Sequence, residues 1–130
     1  MNLSENLTLR EVCKSQTASR LGINNKPDEE FIIENLRAVA REVFQPCREY
    51  VGGPLYVSSG FRSRALNDAI GGSKTSQHIS GMALDLDADV FGGKTNAEVF
   101  SFIKENCVFD QLIWEFGDDD NPDWVHVSFH

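Results

Sequence analysis

Between residues 32 and 47 the apolar side chains Ile32, Ile33, Leu36, Val39, Ala40, Val43, Phe44 and Cys47 recur at steps of three and four. That spacing stacks them along one stripe of an α-helix, and such a stripe has to be buried against another element. The rest of the chain must therefore supply the surface that covers it. Pro46 is expected to bend or end this helix, and Gly52 with Gly53 to stop it. Ahead of it, Pro27 followed by Asp28, Glu29 and Glu30 suits a first helical turn, because proline lacks an N–H and carboxylates oppose the helix dipole there.

Covering surface appears later in the chain, with a different period. Leu55, Tyr56 and Val57 read as a short strand. From Met82 to Asp87 the residues alternate, with Met82, Leu84 and Leu86 on one side and Ala83, Asp85 and Asp87 on the other, as a half-buried strand would. Leu112 to Phe116 and Trp124 to Phe129 read as two more strands; in the last, Val125, Val127 and Phe129 share the core face, and Trp124, His126 and Ser128 the opposite one. Three shorter helices fit between. Thr8 with Glu11 and Thr95 with Glu98 match capping boxes, for helices over Leu9 to Ser15 and through Val99, Phe100, Ile103 and Cys107. Ser63 to Ile70 is a third, closed by Gly71 and Gly72, with a loop from Gly71 to Ser76. Helices come mostly first and strands mostly later, so the expected class is α+β, helices packed on a small antiparallel sheet.

A length of 130 residues fits a single domain, 1–130, and 41% hydrophobic residues suffice for its core. Twelve Lys and Arg against twenty Asp and Glu leave a net charge of −8, which repels phosphate backbones and anionic lipid. Neither nucleic acid nor a membrane is an expected partner. No stretch approaches the ~18 apolar residues of a membrane helix, and the first residues do not read as an export signal, so synthesis as a soluble cytoplasmic protein is expected. Cys13, Cys47 and Cys107 are odd in number and form no CxxC pair; they read as reduced core residues. Asp118, Asp119, Asp120 and Asp123 form an acidic run that is ordinarily a solvated loop.

Only three histidines occur, His78, His126 and His130. His78 lies seven residues before Asp85, with Gly81 between them to turn the chain, and His126 lies on the polar face of the last strand. Two imidazoles and one carboxylate around an open fourth position make the ligand set of a catalytic zinc. An unmetallated pair of surface histidines is the plainer alternative. Asp87 and Asp89 follow Asp85 closely, but the glycine and the twelfth-position glutamate of a calcium loop are missing. No HExxH helix occurs, and no serine or cysteine has a recognisable nucleophile setting.

SGFRS at Ser59 to Ser63, SQHISGMALD at Ser76 to Asp85 and WVH at Trp124 to His126 resemble, in order and spacing, the M15 family of zinc D-Ala-D-Ala carboxypeptidases and related endolysins. The resemblance extends from about Leu7 to Phe129, includes LGINN and QPCRE, and is closest to the family's small phage and prophage branch. It implies the hedgehog/D-Ala-D-Ala peptidase-like fold, with His78, Asp85 and His126 as ligands of Zn2+. It also implies that Asp123 is the catalytic acid and base, where the family keeps glutamate in some branches and aspartate in others; Glu115, on the neighbouring strand, is the rival. Arg62 falls on the arginine that binds the substrate carbonyl and stabilises the oxyanion, a task that suits a planar, always charged donor. Arg64 is the bystander. Ser76 matches a serine that binds substrate or supports the loop, Gln77 has no assigned role, and Trp124 and Phe61 either wall the cleft or pack in the core.

The expected protein is thus a zinc metallopeptidase, active as a monomer, that hydrolyses a bond in peptidoglycan stem peptides as a carboxypeptidase or endopeptidase. Without an export signal it would reach the wall after lysis, through a holin-like pore or in a phage particle, which fits a phage or prophage origin. Two alternatives keep the same zinc: a catalytically inactive binding module, and a cytoplasmic dipeptidase acting on free D-Ala-D-Ala.

Overall fold

The computed structural model describes residues 1–130. It begins with a hairpin that no periodicity announces, β1 (Asn2–Ser4) antiparallel to β2 (Leu7–Thr8), which buries Leu3 and Leu7. Strands this short cannot display an alternating pattern. Helix α1 (Leu9–Cys13) follows, with the Thr8 hydroxyl accepting from the Glu11 N–H at 3.2 Å and donating to the Glu11 carboxylate at 3.0 Å. It is shorter than expected, because Ser15 serves as the cap of a separate helix, α2 (Gln16–Leu21), which ends at Gly22 with φ 69°.

The apolar stripe then forms one helical rod. It runs as α3 (Glu30–Val39), a π-helical turn over Ala40–Phe44, and α4 (Gln45–Val51), and stops at Gly52 with φ 75°. Glu29 caps it, so Pro27 lies just outside the first turn instead of within it. Pro46 does not end the rod. A proline ring collides with the carbonyl four residues back and offers no N–H to it. Widening the preceding turn, with Gln45 N–H donating to the Ala40 carbonyl five residues back, leaves Pro46 in the opening turn of α4, where no donor is required. Ile32, Leu36, Val39, Ala40, Val43, Phe44, Cys47 and Val51 are all buried.

A four-stranded antiparallel sheet covers them, ordered β3 (Tyr56–Ser59), β4 (Ala83–Asp87), β6 (Trp124–Ser128), β5 (Gln111–Glu115). Helix α5 (Arg64–Ala69), capped by Ser63, leads from β3 towards β4, and α6 (Asn96–Asn106), opened by a complete Thr95–Glu98 capping box, joins β4 to β5. Leu84, Leu86, Val125 and Val127 meet Val39, Val43, Val99 and Ile103 in one core cluster. The fold is therefore α+β. Strand β4 departs from the half-buried expectation: Ala83, Leu84, Asp85 and Leu86 are all buried, because β4 is paired on both edges and residues 60–82 return across its second face.

Two buried asparagines tie loops to the framework, Asn25 at the start of this return and Asn96 between the end of β4 and the approach to β6. Asn25 Nδ2 donates to the carbonyls of Cys13 and Phe61 at 2.9 and 3.0 Å, while its Oδ1 accepts from Ser63 N–H at 2.7 Å. Asn96 Oδ1 accepts from Ala88 N–H at 2.6 Å, and its Nδ2 lies 3.0–3.2 Å from Asp87 Oδ1 and the carbonyls of Pro122 and Asp123. The cysteines are all free, Cys47 buried and the other two half-buried against the core. Burial pushes the Cys13 thiol up to about 11, so it stays protonated near neutrality.

Past β3 the chain passes so close to α1 that only glycine fits. A Cβ on Gly60 would lie 2.5 Å from the Val12 carbonyl oxygen, which accepts the Phe61 N–H at 2.8 Å. We expect Gly60→Ala to lower the unfolding free energy in urea by about 1–3 kcal/mol. Gly53→Ala, with open space around the position, should stay within about 0.5 kcal/mol of the parent.

Candidate metal centre

Asp85 and His126 are direct partners in the β4–β6 register, so their side chains leave the same face of the sheet. Leu84 with Val127 and Leu86 with Val125, the pairs on either side, leave the other face and enter the core. The alternation that builds the core thus also puts a carboxylate beside an imidazole. His78 arrives from the returning loop, where its N–H donates to Ser76 Oγ at 3.2 Å and its carbonyl accepts from Arg62 N–H at 3.1 Å.

His78 is 3% exposed and Asp85 7%, so both must be satisfied inside the protein. The His78 ring donates from Nδ1 to the Gly60 carbonyl at 2.7 Å, which assigns the proton to that nitrogen and leaves Nε2 a lone pair. Nε2 faces Asp85 Oδ1 at 3.3 Å, and His126 Nδ1 faces the same oxygen at 2.9 Å. One ligand atom from each of the three residues lies within 4.8 Å of the others. Tetrahedral ligands ~2.0–2.1 Å from a zinc ion sit ~3.3 Å apart, so the spacing and the donor set suit such an ion. Burial raises the Asp85 carboxyl, but the hydrogen bond from His126 and the polar surroundings of the two rings outweigh it and hold the group at about 2. The carboxylate is ionised near neutrality, as a metal ligand must be.

Arg62 completes the inner site, its Nη2 3.7 Å from Asp85 Oδ2 and its Nε donating to Ser59 Oγ at 3.3 Å. Arg64, by contrast, is exposed at the start of α5. These groups open into a cleft of about 580 Å³ whose walls include Ser76, Gln77, Glu115 and Trp124. Ser76 supports the His78 loop through its hydroxyl. Gln77 Nε2 donates to Asp110 Oδ2 at 2.7 Å, while its Oε1 is buried without a hydrogen-bond partner. Trp124 walls the cleft, whereas Phe61 is buried in the core. A larger groove of about 760 Å³ lies beyond Arg62 along β3 and holds no metal-ligating cluster.

Asp123 stands apart from this arrangement. It is exposed on a bend ahead of β6 and does not line the cleft; its N–H donates to the Glu115 carbonyl at 2.9 Å and its carbonyl accepts from Asn96. Its N–H is thus committed to the β5–β6 connection and its carbonyl to Asn96 of α6, while Trp124 and His126 reach the cleft. Glu115, opposite Trp124 in register, is half-buried and lines the cleft. Asp118 to Asp120 form an exposed turn, in which Asp118 Oδ1 accepts from the N–H groups of Asp120 and Asn121. Asp87 and Asp89 accept from Asn96 and Asn121. Asn25 and Gln77 lie within the LGINN and SQHISGMALD motifs but had no role assigned there, and Asn96 carried no motif signal, because the partners of all three are distant in the chain.

A depressed Asp85 implies a defined acid response of the metal-free protein. Its stabilising contribution is complete above the unfolded value near ~3.9 and disappears as pH falls through the folded value of about 2. Between pH 6 and pH 2 the parent should lose about 2 kcal/mol more unfolding free energy than Asp85→Asn, measured by urea titration in chelator.

Comparison with curated proteins finds no match. The model of the Peptidase M15 family, by contrast, matches residues 5–128. That span runs from the first hairpin to the end of β6 and takes in every side chain of the cluster and its cleft, so the chain belongs to the peptidase M15 family.

Proposed function

We propose that the protein is a zinc peptidase that hydrolyses a peptide bond in the stem peptides of peptidoglycan. The observation that carries this reading is the convergence of His78, Asp85 and His126 in a cleft beside Arg62, in a chain of the peptidase M15 family. Zinc, when bound, supplies Lewis acidity that activates a water and polarises the scissile carbonyl. Two imidazoles and a carboxylate leave a coordination position for that chemistry, which favours a catalytic over a closed structural site.

The remaining steps belong to the chain's own groups. His78, Asp85 and His126 would hold the ion, and the Gly60 carbonyl keeps the His78 ring in the tautomer that offers Nε2. Arg62 directs its donors at the carbonyl oxygen as charge develops there, an interaction that strengthens towards the transition state. Burial lowers the affinity of the guanidinium for its proton and Asp85 restores part of it, so the charge is kept in a poorly hydrated place where it acts strongly. Trp124 offers an apolar wall to the cleft. A carboxylate beside the cluster takes the proton of the attacking water and returns it to the leaving amine. We place this activity at the bacterial wall, after release from the cell or phage particle in which the protein is made.

Mass spectrometry of fragments released from purified peptidoglycan by zinc-loaded protein tests the reading. New fragments from a single bond type are expected, abolished by chelator and restored by Zn2+. Arg62→Ala should lower kcat by ~10²–10³-fold while retaining metal. Cleavage of free D-Ala-D-Ala alone would make the protein a dipeptidase. Stoichiometric zinc without turnover on peptidoglycans of several stem-peptide types would make it a binding module.

A further inference from the structure

We infer that the groove along the outer edge of β3 binds the part of a stem peptide that runs on from the scissile bond, held as an extended, carboxylate-bearing strand; the inference rests on the peptidase reading above. The groove, about 760 Å³, takes walls from both sides of the sheet, Phe44 and Arg48 from the helical rod and Leu66 and Ile70 from α5 and its cap. It therefore lies at the sheet's edge. β3 is the end strand of the sheet, so its outer backbone groups have no strand partner, and Tyr56, Val57, Ser58 and Ser59 all line the groove. These four residues give ~13 Å of edge, the reach of an extended peptide of the same length. Such an edge supplies main-chain hydrogen bonds to an added strand.

Charge selects the strand. The protein carries a net charge of −8, yet the charged side chains of this groove are Lys14, Arg48 and Arg62 against Glu11 alone. The Glu11 carboxylate accepts from the Thr8 hydroxyl at 3.0 Å, whereas Lys14 and Arg48 take part in none of the chain's ion pairs. Two cations without partners in an acidic protein favour a ligand with carboxylates. A stem peptide meets that demand, because its γ-linked glutamate leaves an α-carboxylate free and a diaminopimelate adds another. The exposed apolar side chains Tyr56, Ile70 and Phe91 border the same groove, and the Tyr56 and Phe91 rings meet edge to face at 6.2 Å. They suit the alanine methyls and methylene chains between those charges.

Arg62 joins the groove to the metal cleft, as the one residue that lines both. A peptide with its scissile carbonyl at Arg62 can thus extend past it along β3. The groove holds no metal ligand, so it sets which substrates are retained and not how the bond breaks, favouring long acidic peptides over free dipeptides.

Calorimetry with the soluble tripeptide L-Ala-γ-D-Glu-meso-diaminopimelate tests this on the zinc-loaded chain, and again in chelator, where turnover cannot contribute. Lys14→Glu and Arg48→Glu should each weaken binding about fivefold and the double variant about twentyfold, while Lys104→Glu, the same charge change on α6 outside the groove, should stay within about twofold of the parent. Amidation of the peptide's carboxyl groups should weaken its binding to the parent and erase the differences among the variants. In turnover of soluble stem peptides the two groove variants should raise KM with kcat unchanged. If the parent releases no fragments from peptidoglycan, the peptidase reading fails, and the binding comparison still decides whether the groove takes the peptide. No binding by the parent, equal affinity in parent and groove variants, an equal loss in Lys104→Glu, or equally tight binding of an unrelated peptide of the same charge would overturn the inference.

Discussion

The hydrogen bond from His78 Nδ1 to the Gly60 carbonyl, 2.7 Å long, is the interaction on which the site depends. It buries the polar edge of an imidazole at no unsatisfied cost, and it turns the other nitrogen towards Asp85. Its acceptor is held in turn by the close approach of Gly60 to Val12, where the adjoining Phe61 N–H bonds the Val12 carbonyl. Helix α1, far from the cluster in sequence, thereby sets where one ligand stands. Asn25 reinforces the same junction from α1 to the Ser63 cap of α5.

A second constraint comes from the pleat. Strands β4 and β6 send Leu84, Leu86, Val125 and Val127 into the core and Asp85 and His126 to the opposite face, so the packing that stabilises the sheet also fixes the register of the ligands. A slip of one residue would bury the ionisable side chains and expose the apolar ones. The core and the site are in this sense a single specification. An ionised Asp85 at low exposure is tolerable only because His78, His126 and Arg62 surround it, which makes the cluster costly to leave incomplete and well matched to a cation.

Much of this was legible in the residues. The stripe from Ile32 to Cys47, the Thr95–Glu98 box, the glycine stop at Gly52 and the last three strands all rest on local periodicity or capping, and local physics decided them. The β1–β2 hairpin and α2 were not legible, since elements of two to six residues carry too little pattern to rise above composition. At Pro46 the rule for proline was sound, but a π-helical turn offered a way round it that only burial of the surrounding stripe makes worthwhile.

The sequence alone determined the α+β class, the alternation that separates core from polar face, and the identity of the three candidate ligands, because each follows from residue type and short-range spacing. The tertiary structure decided which groups stand beside them. Asn25, Asn96, Gln77 and Glu115 acquire their places from partners tens of residues away or on a neighbouring strand, and the bend ahead of β6 leaves Asp123 exposed. Spacing along a chain constrains side chains only while the backbone between them keeps one regular conformation; beyond the first bend, register and packing decide.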